Sequence, residues 1–177
     1  MHIMLDLETM GTRASSAIIA IGAVGFDLDG IQSRFYGRIS LESNLAAGRT
    51  VDASTILWWL DQSDDARYEF TQQAICIPIE QALRDFALFV QSHGSVGGMW
   101  GNGADFDCAM LADAYNQIIK IPAPWPFYAS RDLRTLRAIG ASVPRVQFTG
   151  TKHNALADAE NQALHAIEIY KHLGMSL

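Results

Sequence analysis

The chain has 177 residues, 49% hydrophobic and 18% charged, with a net charge of −6. That length suits one domain over residues 1–177, and the composition excludes a disordered chain. The acidic balance excludes a general nucleic-acid coating protein, and the longest apolar run, Ala17–Phe26, is too short to span a membrane.

"MHIMLDLETMG" opens the chain, with a strand expected from His2 to Glu8. Residues i and i+2 of a strand share a face, so Asp6 and Glu8 point one way and Ile3, Leu5 and Leu7 the other. Two carboxylates at that spacing repel each other and are costly to desolvate. A shared cation would remove the cost. "SAIIAIGAVGFDLDG" reads as the second strand, closing on the hairpin signal Asp29-Gly30, and "IQSRFYGRIS" as a third, more exposed one.

Helical patterns then take over. "DASTILWWLDQS" has Ser54 as its N-cap candidate, and "PIEQALRDFALFVQSH" has Pro78 in the first turn with Ile79, Leu83, Phe86 and Val90 on one face. Trp58 and Trp59 are adjacent on one helix, so only one can face the core squarely. The other is a candidate base-stacking platform or part of a dimer interface. "VGGMWGN" reads as a fourth strand and "DCAMLADAYNQII" as a helix. "APWPFYASRDLRTLRAIG" is punctuated by proline and then forms a short helix ending at Gly140. The final helix, "HNALADAENQALHAIEIYKHL", has Asn154 as N-cap and an apolar stripe of Leu156, Ala159, Ala163, Ala166, Ile167 and Tyr170. A meander followed by alternating helices and strands predicts an α/β fold with a mixed sheet covered by helices.

"WGNGADFDCAML" carries Asp105 and Asp107 where a strand gives way to a helix, a favoured ligand position, although either could simply serve the helix N-terminus. "KHNALADAEN" carries His153 and Asp158 five residues apart. At about 100° per residue that pair does not share a helix face. His153 is expected in the loop and Asp158 in the first helical turns. Arg131–His153 holds five basic residues against one acid, Asp132, a net +4 that leaves −10 elsewhere. The segment is either a solvated helix and loop or a phosphate-contacting edge. Cys76 and Cys108 make no zinc or disulfide pattern, and Asp6 interrupts any apolar targeting core, so a cytoplasmic protein is expected.

The ordered set of "LDLETMG", "NGADFD" and "HNALADAENQA" resembles the DEDDh, or DnaQ-like, 3′–5′ exonucleases of the ribonuclease H-like superfamily. "ILWWLDQSDDAR" and "ASRDLRTL" are similar to a phage and bacterial subgroup described as exonuclease VIII-like or 3′–5′ exoribonuclease-like. The resemblance covers essentially the whole chain and implies a ribonuclease H-like fold with a mixed five-stranded sheet. It implies that Asp6, Glu8, Asp107 and Asp158 hold two Mg²⁺ or Mn²⁺ ions, with His153 as general base. In the second motif Gly103 stands where the family usually has Asn, so Asp107 is chosen over Asp105 because it follows the aromatic Phe106. Thr9, Met10 and Gly11 would approach the terminal nucleotide, with Met10 wedged against its base, and Phe106 would stack on a base or pack in the core. The implied reaction releases nucleoside 5′-monophosphates from 3′ ends of single-stranded or overhanging DNA or RNA. A homodimer away from membranes is expected. The rival readings are a ribonuclease H or resolvase-type endonuclease and a non-catalytic nucleic-acid-binding module.

Overall fold

Between its ends, β1 (His2–Thr9) is apolar on both faces except at Asp6 and Glu8, which suits a central strand. The computed structural model describes residues 1–72 and 75–177. β2 (Ile18–Asp27) pairs antiparallel with β1, and β3 (Gly30–Arg38) pairs antiparallel with β2. Leu28-Asp29 forms the hairpin turn, with Gly30 following at φ +135°, a conformation that suits glycine. β4 (Gly98–Gly101) and β5 (Ser130–Asp132) add parallel on the other side of β1, giving the order β3-β2-β1-β4-β5 in a five-stranded mixed sheet. The expected mixed sheet and N-terminal meander are therefore present. Half-buried β5 lies in the segment read as proline-punctuated loop.

α4 (Ile79–Ser92) covers one sheet face. Its Ile79, Leu83, Phe86 and Val90 are all buried, in one cluster with Ile3, Leu5 and Leu7 of β1. Pro78 is its N-cap rather than a first-turn residue. α5 (Asp107–Ala114) joins the same cluster through Met110 and Leu111. The helix expected to run on to Ile119 instead widens into a π turn at Tyr115–Ile119. α6 (Leu133–Ile139), closed by Gly140, and α7 (Ala155–His172) cover the opposite face, where Leu133, Leu136, Ala159 and Ala163 meet Met4, Val24 and Trp100. Asn154 caps α7 as expected, accepting the Ala157 N–H at 3.0 Å.

Three short helices fill the β3–α4 connection: α1 (Leu41–Ala46), α2 (Ala53–Leu60) and α3 (Asp64–Thr71). α2 starts one residue before Ser54, so Asp52 is the N-cap and Ser54 lies inside the helix. Trp59 packs with Met10, Ala17, Ile19 and Ala66 in a small third cluster that pins α2 beside the end of β1. Among the described residues, no helix is long and apolar enough to cross a membrane.

Candidate active site

β1 runs past β4. Their pairing ends at Met4–Trp100, while β1 continues to Thr9. The Leu7 N–H beyond that point donates to Asp107 Oδ1 at 3.2 Å. Asp107 is the first residue of α5 and is only 3% exposed. The strand-to-helix junction thus brings this carboxylate beside β1. Asp105 is exposed and lies outside the cleft lining.

Asp158 arrives from the other side, on the first turn of α7. Oxygens of Asp6, Glu8 and Asp158 all lie within 4.8 Å of one another. β1 and α7 meet this closely because Asp6 pairs with Gly22 of β2. A Cβ at Gly22 would overlap the Ala155 carbonyl and the Leu156 nitrogen. Gln162, one turn beyond Asp158, donates from Nε2 to Asp6 Oδ1 at 2.6 Å, and its buried Oε1 has no partner among the described residues.

Crowding these carboxylates raises the cost of ionising them. Burial holds Asp6 well above the usual carboxylate range, reinforced by Asp107, Glu8 and Asp158 and opposed by the Gln162 bond. Burial pushes Asp107 up to about 7 against hydrogen bonds from Leu7 and other backbone N–H groups. Asp158 is also raised by burial, against the His153 N–H and the charges of His153 and Lys152. Oxygen-only donors that resist ionisation on their own fit a hard divalent cation such as Mg²⁺ or Mn²⁺.

His153 sits in the loop before α7, as expected, in the left-handed region at φ 63°. A non-glycine residue there costs about 1 kcal/mol or more. Its N–H donates to Asp158 Oδ2 at 2.8 Å, so the two residues are positioned together. Its ring stands edge-on to Trp58 at 5.0 Å and Trp59 at 6.3 Å. Trp59 is buried and donates from Nε1 to the Thr9 carbonyl at 2.9 Å, which ties α2 to β1. Trp58 is 44% exposed and forms part of the wall.

A cleft of about 580 Å³ contains Asp6, Glu8, Asp107, His153 and Asp158. Thr9, Gly11 and half-buried Phe106 line it, and Phe106 also packs on the core. Gly11 leaves room for the Ser16 and Asp52 side chains, which a Cβ there would displace. Met10 is the exception among the expected residues. Its side chain is buried in the α2 cluster, outside the cleft lining, so the expected base wedge is corrected to a core residue. Thr12, Thr55, Asn102 and Gln162 line the cleft without having been singled out, and Arg134 of the basic segment lines it too. For Gln162 a signal was present, since it follows Asp158 by four residues on one helix face.

A mixed five-stranded sheet thus brings acids from β1, α5 and α7 into one cleft with a histidine beside them. The fold is shared with the nuclease domain of 3′hExo, a DEDDh family member solved bound to rAMP, at a TM-score of 0.64 and 15% identity over 96% of this chain and 91% of that one. It is shared also with a full-length 3′-exonuclease, at a TM-score of 0.65 and 16% identity over 99% and 83%. The model of the 3′-5′ exoribonuclease Rv2179c-like domain matches residues 1–170, and the chain belongs to that family. It is a 3′–5′ exonuclease. An exodeoxyribonuclease of Enterobacteria phage T4 is 26% identical over 158 residues, covering 75% of this chain and 68% of that protein.

Proposed function

We propose that residues 1–177 act as one metal-dependent exonuclease domain that releases nucleoside 5′-monophosphates from the 3′ ends of single-stranded or 3′-overhanging DNA or RNA. The observation that carries this reading is the convergence of Asp6, Glu8 and Asp158 within 4.8 Å, with buried Asp107 beside Asp6. These four carboxylates would hold two divalent cations, Mg²⁺ or Mn²⁺. Bound there, the cations lower the pKa of water and stabilise the leaving 3′-oxygen.

The chain's own groups do the rest. His153 takes the proton from the attacking water as general base. Trp58 and Trp59 hold its ring on edge, and the N–H bond to Asp158 fixes its backbone. Thr9 and Gly11 border the terminal nucleotide, and Phe106 and exposed Trp58 offer stacking faces. Arg134, which lines the cleft, would contact a substrate phosphate. Both sugars remain in the substrate class, because the family description names ribonucleases and the phage relative is named for DNA. The protein is further proposed to be cytoplasmic and homodimeric, and sedimentation of an active monomer would remove the dimer.

Matched end-labelled RNA and DNA, single-stranded and with 3′ overhangs, test the reading. Shortening from the 3′ end with 5′-monophosphate release, abolished by chelator, is expected. Cleavage of a circular strand would favour the endonuclease class, and hydrolysis in excess chelator would overturn the metal sites.

A further inference from the structure

A second cavity of about 360 Å³ adjoins the cleft and shares Asn102, Asp158 and Gln162 with it. It lies between α6, α7 and the loop leading to His153. Arg137, Arg145 and Lys152 line it with a single acid, Asp158. The basic segment noted in the sequence therefore divides. Arg131 binds the carbonyls of Tyr128, Ser130 and Gly97 at the sheet edge, Arg134 faces the cleft, and the other three cations gather here.

The pocket is built rather than incidental. Asn161, 8% exposed, accepts the Thr149 N–H at 3.0 Å and donates to the Thr149 carbonyl at 2.8 Å, fixing the loop against α7. Arg137 donates to Asn102 Oδ1 at 2.8 Å, which holds its guanidinium across the cavity. Among the described residues three buried polar atoms of the lining have no partner; Arg137 Nε and the Nδ1–H tautomer of His165 can donate to an anion, whereas Gln162 Oε1 is an acceptor that an anion leaves unmet. His165 and Gln162 are only 5% and 7% exposed. Unsatisfied buried donors are costly, and a bound anion would satisfy the two that line this pocket. The cations also crowd one another, for burial, Arg145 and Arg134 all push Arg137 below its usual range.

We propose that this pocket is a phosphate subsite that holds a backbone phosphate of the substrate strand on the 5′ side of the scissile bond. The assignment rests on the exonuclease reading above. Arginine forks suit phosphate, and a wall shared with the carboxylate cluster puts the pocket next to the bond being cut. The same chemistry would accept the free 5′-monophosphate product, so the test separates the two sources.

Arg145 is exposed and can be replaced without touching the core. The substrates are a short single-stranded oligonucleotide and a nucleoside 5′-(p-nitrophenyl phosphate), which has a scissile diester and no further phosphate. Arg145→Gln should raise KM for the oligonucleotide about tenfold with little change in kcat. It should lower the salt dependence of that KM by about 0.7 in the log–log slope. Hydrolysis of the nitrophenyl ester should fall by no more than about twofold, and Arg145→Lys should restore most of the loss. An unchanged oligonucleotide KM would overturn the subsite, as would equal losses on both substrates. Weaker product inhibition with an unchanged KM would assign the pocket to the free nucleotide instead and overturn the strand assignment. Wild-type protein that cleaves neither substrate would overturn the exonuclease reading itself, and the subsite with it.

Discussion

Asp105 and Asp107 stand two positions apart, yet only Asp107 is buried at the end of β1, accepting the Leu7 N–H. Asp107→Asn is expected to cut kcat/KM by more than about 100-fold, the upper range for disturbing a metal's supporting groups. Asp105→Asn should stay within about threefold, as its side chain is exposed. Steady-state kinetics on one labelled strand compare them, and the reverse ranking would move the ligand to Asp105. His153→Ala is expected to lower kcat by about 10²–10⁴-fold with little change in KM. The His153 N–H bond to Asp158 belongs to the backbone and survives the substitution, so the loss isolates the imidazole. Near-wild-type turnover at saturating Mg²⁺ would leave His153 a loop residue only. That the five acid and histidine positions share one cleft could be anticipated from three short motifs at strand ends and helix starts. Met10 was misread for a physical reason. The backbone shifts register after Glu8, so the apolar side chain that follows turns into the α2 cluster.

At the scale of elements, the site depends on how closely α7 lies on the sheet. Gly22 faces the first turn of α7, and its strand partner is Asp6. Gly22→Ala must push the α7 start outward, carrying Asp158 and His153 away from Asp6. Overpacking of this kind costs about 1–3 kcal/mol of stability. Activity should fall at least tenfold, since ångström-scale misplacement of reacting groups costs about 10²-fold. Thermal melts and kinetics on the purified variant check both, and unchanged activity would mean that α7 is not held by this contact. α4 and α7 were readable because their apolar stripes run long enough to show a period, and β1, β2 and β4 because they are apolar runs bounded by glycine or turn signals. α1 and α3 were not, because their mostly polar sequences carry no apolar stripe, and α1 buries only Asn44. β5, with three half-buried residues, has no strand pattern at all. Gln162 meets Asp6 across 156 positions, a contact that the sheet and α7 create together and that local periodicity does not encode.

For the whole molecule, the buried carboxylates couple folding to pH and to divalent cations. Asp6, Asp107 and Asp158 are all raised in the folded protein, and Asp107 moves from 3.8 to about 7. From about pH 4 up to about pH 7 the folded state therefore holds protons that the unfolded chain has released. Stability rises with pH only where the unfolded state binds more protons, so here it must fall as pH rises through that window. In chelator the unfolding midpoint should thus be lower at pH 8 than at pH 5, which is opposite to the usual trend for salt-bridged carboxylates. Mg²⁺ competes with those protons and binds only the folded cluster, so its stabilisation should be larger at pH 8. Saturation at about 100-fold over Kd contributes about 2.7 kcal/mol, and about 2–4 °C per kcal/mol for a chain of this size makes the shift readable in a melt. Asp6→Asn removes one of the mutually repelling charges. In chelator this variant should melt at or above the wild-type temperature at pH 8, and it should lose most of the Mg²⁺ response. A melting temperature in chelator that does not fall between pH 5 and pH 8, together with no Mg²⁺ shift at pH 8, would mean that the acids do not form a cation site.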